Sequence, residues 1–325
     1  MFRSTAFARN TVGLGLAVLG LVMLSAAVDV APAAAQQAKQ IRISRIPIAP
    51  YVPADLAMAR GWFKDEGLDV TVGAVAGGAV TMQGLIANSL DLIYASLDTA
   101  IKAKAAGFDV VIVSNNNNAQ MQKPDAAALI IRKDSGITNV KQLEGKLVLV
   151  GNLQNVNWAY TREVIRMAGS DPAKVRFSEL PFPQQVDAVM NSRADAASTT
   201  EPFTTIGLGT DKLSVLSYMF IDAQPGLNIA GWIARANWVK ENPQTVAAFR
   251  KVLQKAIDLL ESDAAERTKA ITEFTALKDA ALLKRITLDK WTTKLDVADL
   301  QKQVEVYHRH GMIDKTFDVK TIIAP

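Results

Sequence analysis

Short apolar runs alternate with helix-spaced segments along this chain, and the alternation begins a second time after residue 126. Gln40 to Ile46 places Ile41, Ile43 and Ile46 in an alternating run that reads as a strand. A proline-rich loop from Pro47 to Pro53 ends it, and Ala54 to Lys64 reads as a helix with Gly61 near its end. Leu68 to Val75, Leu92 to Ala95 and Val110 to Val113 read as strands, separated by helical spacing over Val80 to Ala87 and Asp98 to Ala106. The second series has strands at Ala127 to Arg132, Leu147 to Val150, Val175 to Leu180 and Ala194 to Ser198. Its helical segments are Val140 to Leu143, Trp158 to Ala168 and Gln184 to Asn191. Asn228 to Ala234 adds a strand, and Asn242 to Glu261, Ala264 to Thr275, Leu282 to Arg285 and Val297 to His308 form a helical tail, with Pro243 at a natural helix start. Such alternation predicts mostly parallel sheets with helices on both faces. Two α/β units of this kind predict two lobes with a cleft, and ligands in open α/β sheets bind beyond the carboxyl ends of the strands.

The first thirty-five residues are of a different kind. Arg3 and Arg9 precede a nearly uncharged apolar stretch from Thr11 to Val28, and Ala31-Pro32-Ala33-Ala34-Ala35 then supplies small residues for cleavage before Gln36. That order predicts a cleaved secretory signal over residues 1–35 rather than a membrane anchor, for which the stretch is short. The chain has no cysteine, so an exported form has no disulfides and no lipid-bearing cysteine. The expectation is a protein free in the periplasm, not a lipoprotein. Net charge is +4 for the whole chain, and losing Arg3, Arg9 and Asp29 leaves it near +3. The basic residues are spread without interleaved aromatics, so nucleic acid is not an expected partner.

Several segments together carry a family likeness. Ala57-Met58-Ala59-Arg60-Gly61-Trp62-Phe63 continues into Glu66-Gly67-Leu68-Asp69-Val70, and Gly77-Gly78-Ala79 follows. Ser89-Leu90-Asp91-Leu92 leads to Ala95-Ser96, and Arg132-Lys133-Asp134-Ser135-Gly136-Ile137 leads to Leu143-Glu144-Gly145-Lys146. Arg193-Ala194-Asp195-Ala196 precedes Glu201-Pro202-Phe203. In this order and spacing the chain resembles the substrate-binding proteins of ATP-driven importers for nitrate, sulfonates, taurine and the pyrimidine precursor of thiamine. The resemblance implies a type II periplasmic-binding-protein fold: two doubly wound α/β lobes joined by a two-crossing hinge, with a helical C-terminal part. Residues 38–125 and 225–325 would form one lobe and 126–224 the other. It implies capture of a small organic ligand, anionic or aromatic and heterocyclic, by closure of the lobes. It also implies delivery to a membrane permease with its ATPase, by a monomer that needs no cofactor or metal. A ligand sensor of the same fold, and a synthase of the thiamine pyrimidine, are the alternatives.

Ten residues are expected in the ligand site. The helix start at Gly78 and Ala79 exposes N–H groups suited to an anion, although the same glycines suit a plain turn. Ser96 ends a strand and either contacts ligand or caps the next helix, a role Asp98 could take instead. Asn115 heads a run of four asparagines that reads either as a polar turn or as amides lining the cleft. Asn155, Asn157 and Trp158 stand where the family usually has small hydroxyl residues, which favours an organic ligand read by amides and an aromatic ring over a caged inorganic anion. Trp158 reads equally as a core residue. Glu201, held extended by Pro202, can accept from an amine or ring N–H or act structurally. Tyr51 and Asn228 are candidate walls.

Enzyme chemistry finds little footing. The only histidines are His308 and His310, in the last twenty residues and two apart on a helix. Thiolate chemistry has no cysteine, Gly145-Lys146 lacks the first glycine of a phosphate loop because Val140 stands there, and no G-x-S-x-G elbow occurs. The synthase alternative would need a histidine and a cysteine-rich motif at its active site, neither of which is suitably placed. The chain is therefore expected not to be an enzyme.

Overall fold

The computed structural model describes residues 38–75 and 78–325; the expected signal segment and Gly77 lie outside the described residues. Eleven strands run in chain order: β1 (Lys39–Arg45), β2 (Leu68–Val75), β3 (Ile93–Ser96), β4 (Val110–Asn118), β5 (Ala128–Arg132), β6 (Leu147–Val150), β7 (Arg176–Glu179), β8 (Ala196–Thr199), β9 (Leu213–Ser217), β10 (Asn228–Arg235) and β11 (Lys290–Trp291). The helices are α1 (Val52–Ala59), α2 (Trp62–Asp65), α3 (Gly78–Ile86), α4 (Asp98–Ala105), α5 (Val156–Met167), α6 (Phe182–Met190), α7 (Phe203–Gly209), α8 (Met219–Ala223), α9 (Ala236–Glu241), α10 (Pro243–Ser262), α11 (Ala264–Phe274), α12 (Ala280–Leu283) and α13 (Val297–Arg309).

Two sheets organise them. The first has the order β11-β4-β10-β3, with the parallel pair β1-β2 joined to its edge through an isolated bridge between Ile43 and Leu92. The second has the order β7-β6-β8-β5-β9. Both are mixed rather than mostly parallel. β10 runs antiparallel to β3 and β4, and β5 runs antiparallel to β8 and β9, while β6 is parallel to β7 and β8. β5 and β10 are the strands at which the chain passes from one sheet to the other, and β11 also runs antiparallel to β4. Two sheets, each packed with helices and visited in turn by the chain, are the two α/β units expected from the sequence.

Local chemistry explains the departures at element ends. The helix expected over 54–64 breaks in two because Gly61 adopts φ 71°, a left-handed geometry that closes α1 before α2 begins. The strand expected to stop at Val113 continues to Asn118, carrying the asparagine run into the sheet. At Gly231 in β10 a Cβ would lie 2.4 Å from the Ser114 carbonyl oxygen of β4, so only glycine lets these strands approach as they do.

The core of the first sheet is aromatic. Tyr51, Tyr94, Trp232 and Phe249 are buried and packed in sequence, with ring centroids of Tyr51 and Tyr94 5.1 Å apart and those of Trp232 and Phe249 4.8 Å apart. The second sheet is sealed by smaller aliphatic clusters, among them Ile130, Leu149, Val186 and Val189 on one face and Leu129, Val148 and Ile165 on the other.

Candidate functional site

The strand ends of the two sheets face each other across a cavity of about 90 Å³. The first sheet contributes Tyr94, Ala95 and Ser96 at the end of β3, Asn117 from β4, and Ile229 and Ala230 from β10. The second contributes Asn152, Leu153, Asn155, Val156 and Asn157 at the start of α5, Phe182 at the start of α6, Thr200 after β8, and Phe220 of α8. Ile46, Ile48 and Pro50 close the apolar side, Gly78 and Thr99 come in from α3 and α4, and Asp289 completes the lining. Apolar walls with a few placed polar groups are the usual constitution of a small-molecule site.

The start of α5 is held from the opposite side of the cavity. Asn155 caps its own helix, with Oδ1 accepting from the Trp158 N–H at 2.9 Å. The Val156 N–H donates to Asp98 Oδ1 at 3.1 Å, so a carboxylate from α4 satisfies a free N–H of α5. Lys102 Nζ lies 3.1 Å from Asp98 Oδ2 and also donates to the Gln154 carbonyl. Asp98 therefore leaves its own helix uncapped by a side chain and spends its carboxylate across the cavity. Among the described lining residues Lys102 is the only cation, and Asp98 already engages it.

A second polar chain crosses the floor. The Tyr94 hydroxyl donates to Asn117 Oδ1 at 2.9 Å, and Asn117 Nδ2 donates to Asp289 Oδ2 at 2.9 Å. With its oxygen receiving the tyrosine proton, the Asn117 amide has its nitrogen aimed at the carboxylate. Burial pushes the Asp289 carboxyl well above the usual carboxylate range. The nearby charge of Asp125 adds to this, and the Asn117 hydrogen bond opposes it. Asp289 also backs an open surface groove whose other residues include Arg267, Leu283 and Lys290.

Of the expected residues, Gly78, Ser96, Asn155 and Asn157 line the cavity. Gly78 packs so closely that a Cβ there would lie 2.5 Å from Thr99 Oγ1. Asn157 Nδ2 donates to Ser198 Oγ at 3.2 Å. Ala79 lies in α3, next to Gly78.

The others stand outside the lining. Tyr51 is fully buried and donates to the Ser44 carbonyl at 2.8 Å, which makes it a core residue rather than a wall. Asn115 donates to Asn118 Oδ1 at 2.6 Å and to the Lys294 carbonyl at 3.0 Å, anchoring the C-terminal segment instead of facing the cleft. Trp158 packs against Phe177, with the Arg162 guanidinium 4.6 Å from its ring. Glu201 accepts from the Thr205 hydroxyl at 2.8 Å and the Thr205 N–H at 3.1 Å, and burial pushes its carboxyl up to about 7. Asn228 is committed to Asp296 and Asp299.

One lining residue had a readable signal: Tyr94 shares a strand face with Ser96 by the two-residue period of a strand. Asn117 lies across a register shift from Asn115 in the pairing of β4 with β10, so the period does not link the two. Asp289 lies in an irregular stretch between α12 and α13, with no motif to mark it.

Comparison with known proteins agrees with this architecture. YtlA of Bacillus subtilis, which its name proposes to be a binding protein, is 28% identical over 239 residues. That alignment covers 70% of this chain and 66% of YtlA, just under two thirds of its length. A second Bacillus subtilis protein, whose name proposes aliphatic sulfonate binding, is 26% identical over 95% of this chain and 94% of its own. More distantly, the 4-amino-5-hydroxymethyl-2-methylpyrimidine phosphate synthase THI11 of Saccharomyces cerevisiae is 23% identical over 70% of this chain and 68% of its own. The crystal structure of the periplasmic aliphatic sulphonate binding protein SsuA from Escherichia coli superposes with a TM-score of 0.71 at 17% identity, over 88% of this chain and 97% of that one. The "NMT1/THI5 like" family model matches residues 50–266, a span that includes the whole second sheet and most of the cavity lining, and the chain belongs to the NMT1/THI5-like family.

Proposed function

We propose that this protein is the solute-binding component of an ABC importer. It captures a small organic molecule between two lobes and hands it to a membrane permease. The observation that carries the reading is the mostly apolar cavity where the strand ends of two sheets meet, bridged by Asp98 and Lys102 to the start of α5. The lobes are residues 38–125 with 225–325, and residues 126–224. Residues 1–35 are an export signal, removed to leave a monomer in the periplasm without a lipid anchor. Among the described residues no helix is long and apolar enough to cross a membrane, which fits that placement. The relatives whose names denote binding proteins support the same assignment.

Bond chemistry is not part of the proposal, despite the synthase among the relatives. Neither histidine lines the cavity: His310 Nε2 lies 2.8 Å from Glu163 Oε2, and His308 Nδ1 lies 3.1 Å from the Ile313 carbonyl. A thermal-shift screen of the mature chain against sulfonates, carboxylates, aromatic acids and nitrogen heterocycles tests the reading. A true ligand at one hundred times its Kd should add about 2.7 kcal/mol of stability. Turnover of a stabilising compound, or no stabiliser in any class, would refute it.

A further inference from the structure

We propose that Asp98 sets the charge of the ligand. Seated on the start of α5, it is an internal counter-anion that turns the site away from oxyanions and toward uncharged organic molecules, and without it an oxyanion binds in its place between Lys102 and the Val156 N–H. This rests on the binding-protein reading and narrows its ligand class.

A helix start beside a cavity offers unpaired N–H groups and a positive dipole end, the usual receptor for an anion. α5 is twelve residues long, and Asn155, Val156 and Asn157 at its start line the cavity. Its donors are nevertheless engaged by the chain itself. The Val156 N–H donates to Asp98 Oδ1 at 3.1 Å, and the Trp158 N–H to Asn155 Oδ1 at 2.9 Å. Just before the helix, the Leu153 N–H donates to Glu179 Oε1 at 2.7 Å. Asp98 stands apart from the other two acceptors because it comes from α4, across the cavity, and is 1% exposed. A buried carboxylate from the opposite sheet thus already occupies the place where an oxyanion would bond.

The charge balance of the wall points the same way. Among the described lining residues the acidic and basic side chains are Asp98, Lys102 and Asp289, and burial pushes the Asp289 carboxyl up, toward its neutral form. Lys102 Nζ lies 3.1 Å from Asp98 Oδ2, so the remaining two charges cancel. An oxyanion would have to displace Asp98 or stand beside a like charge, whereas an uncharged ligand meets neither cost; this is discrimination by opposition to the wrong ligand. Loss of the Asp98 carboxylate reverses the situation. It leaves an unbalanced ammonium and a free helix N–H on one wall, the pair of groups that complements an oxyanion.

The test titrates methanesulfonate calorimetrically, at an ionic strength held constant with chloride, into the mature wild type, Asp98→Ala, Asp98→Asn and the double variant Asp98→Ala/Lys102→Met. Asp98→Ala should bind methanesulfonate at least tenfold more tightly than wild type, and the double variant should lose that gain. Asp98→Asn removes the charge but keeps an acceptor for the Val156 N–H, so it guards against a poorly folded alanine variant; it should gain at least threefold over wild type. Methanesulfonate affinity no greater in either single variant than in wild type, including no detectable heat from any of them, would overturn the assignment. So would a gain that survives Lys102→Met. A wild type that binds methanesulfonate as tightly as Asp98→Ala overturns it while leaving a binding protein in place, and the separate thermal-shift screen decides the binding reading on its own.

Discussion

Glu201 should make this protein less stable as pH rises through neutrality, and one substitution should remove the effect. Its carboxyl is 1% exposed and accepts from the Thr205 hydroxyl and N–H and from the Thr287 backbone. Burial lifts its pKa from 4.5 to about 7, against the pull of those hydrogen bonds. In the unfolded chain the group loses its proton near 4.5, while in the folded chain it holds the proton until about 7. Between those values the native state binds more protons than the unfolded state, so stability falls with rising pH and levels off above the folded value. A gap of about two and a half pH units at 1.36 kcal/mol each amounts to roughly 3 kcal/mol. The charge of Glu201 also disfavours ionisation of Asp289, which adds to the effect in the same direction. Gln at position 201 keeps the shape, can accept from one Thr205 group and donate to the hydroxyl oxygen, and does not titrate. Urea unfolding of wild type and Glu201→Gln at pH 5, 6, 7 and 8 should show the variant gaining about 2–3 kcal/mol relative to wild type across the series. A stability difference that stays constant with pH, or a wild type that gains on the variant as pH rises, would refute the reasoning.

Two further substitutions separate structure from binding. Asp98→Ala leaves the Val156 N–H without its acceptor and Lys102 without its carboxylate, and should lower the urea midpoint by the equivalent of about 1–2 kcal/mol, with Asp98→Asn recovering part because its amide oxygen can still accept. Trp158→Ala should reduce thermal stability through lost packing on Phe177 and Arg162, while the affinity for any ligand found by the screen stays within twofold by calorimetry.

The sequence was most legible where local patterning and tertiary environment agree. β2 spans Leu68–Val75 as its apolar run predicts, and the start of α10 at Pro243 follows from the fixed φ of proline. The asparagine run shows where local reading fails. Four consecutive asparagines favour a turn by propensity, yet β4 carries them into the sheet, where Pro50, Tyr94, Trp232 and the Asp289–Lys294 stretch supply partners from four distant segments. Nothing in the neighbouring residues announces those partners. Gly78, Ser96, Asn155 and Asn157 were legible because each sits at a strand end or helix start, the places a two-sheet fold turns toward its cleft. Asp289 reaches the same cavity only through tertiary packing, so no rule of spacing could have found it.

The position of Asp98 gives the cavity its character. A helix start at the carboxyl edge of a sheet ordinarily offers its N–H groups to an anion. Here α5 offers Asn157 and Val156 to the cavity wall, but its Val156 N–H already faces a carboxylate that the protein supplies from α4, with Lys102 neutralising it and reaching on to Gln154. One carboxylate thus ties together two elements that the proposed lobes carry separately, and occupies the electrostatic place an anionic ligand would need. Opening the lobes would expose that helix start and free Lys102 together, so the cost of opening is concentrated in a few charge-assisted contacts instead of being spread over an apolar face. A ligand that enters without displacing Asp98 keeps those contacts intact, and the polar surface then left for it includes Ser96, Asn152, Asn155, Asn157 and Thr200.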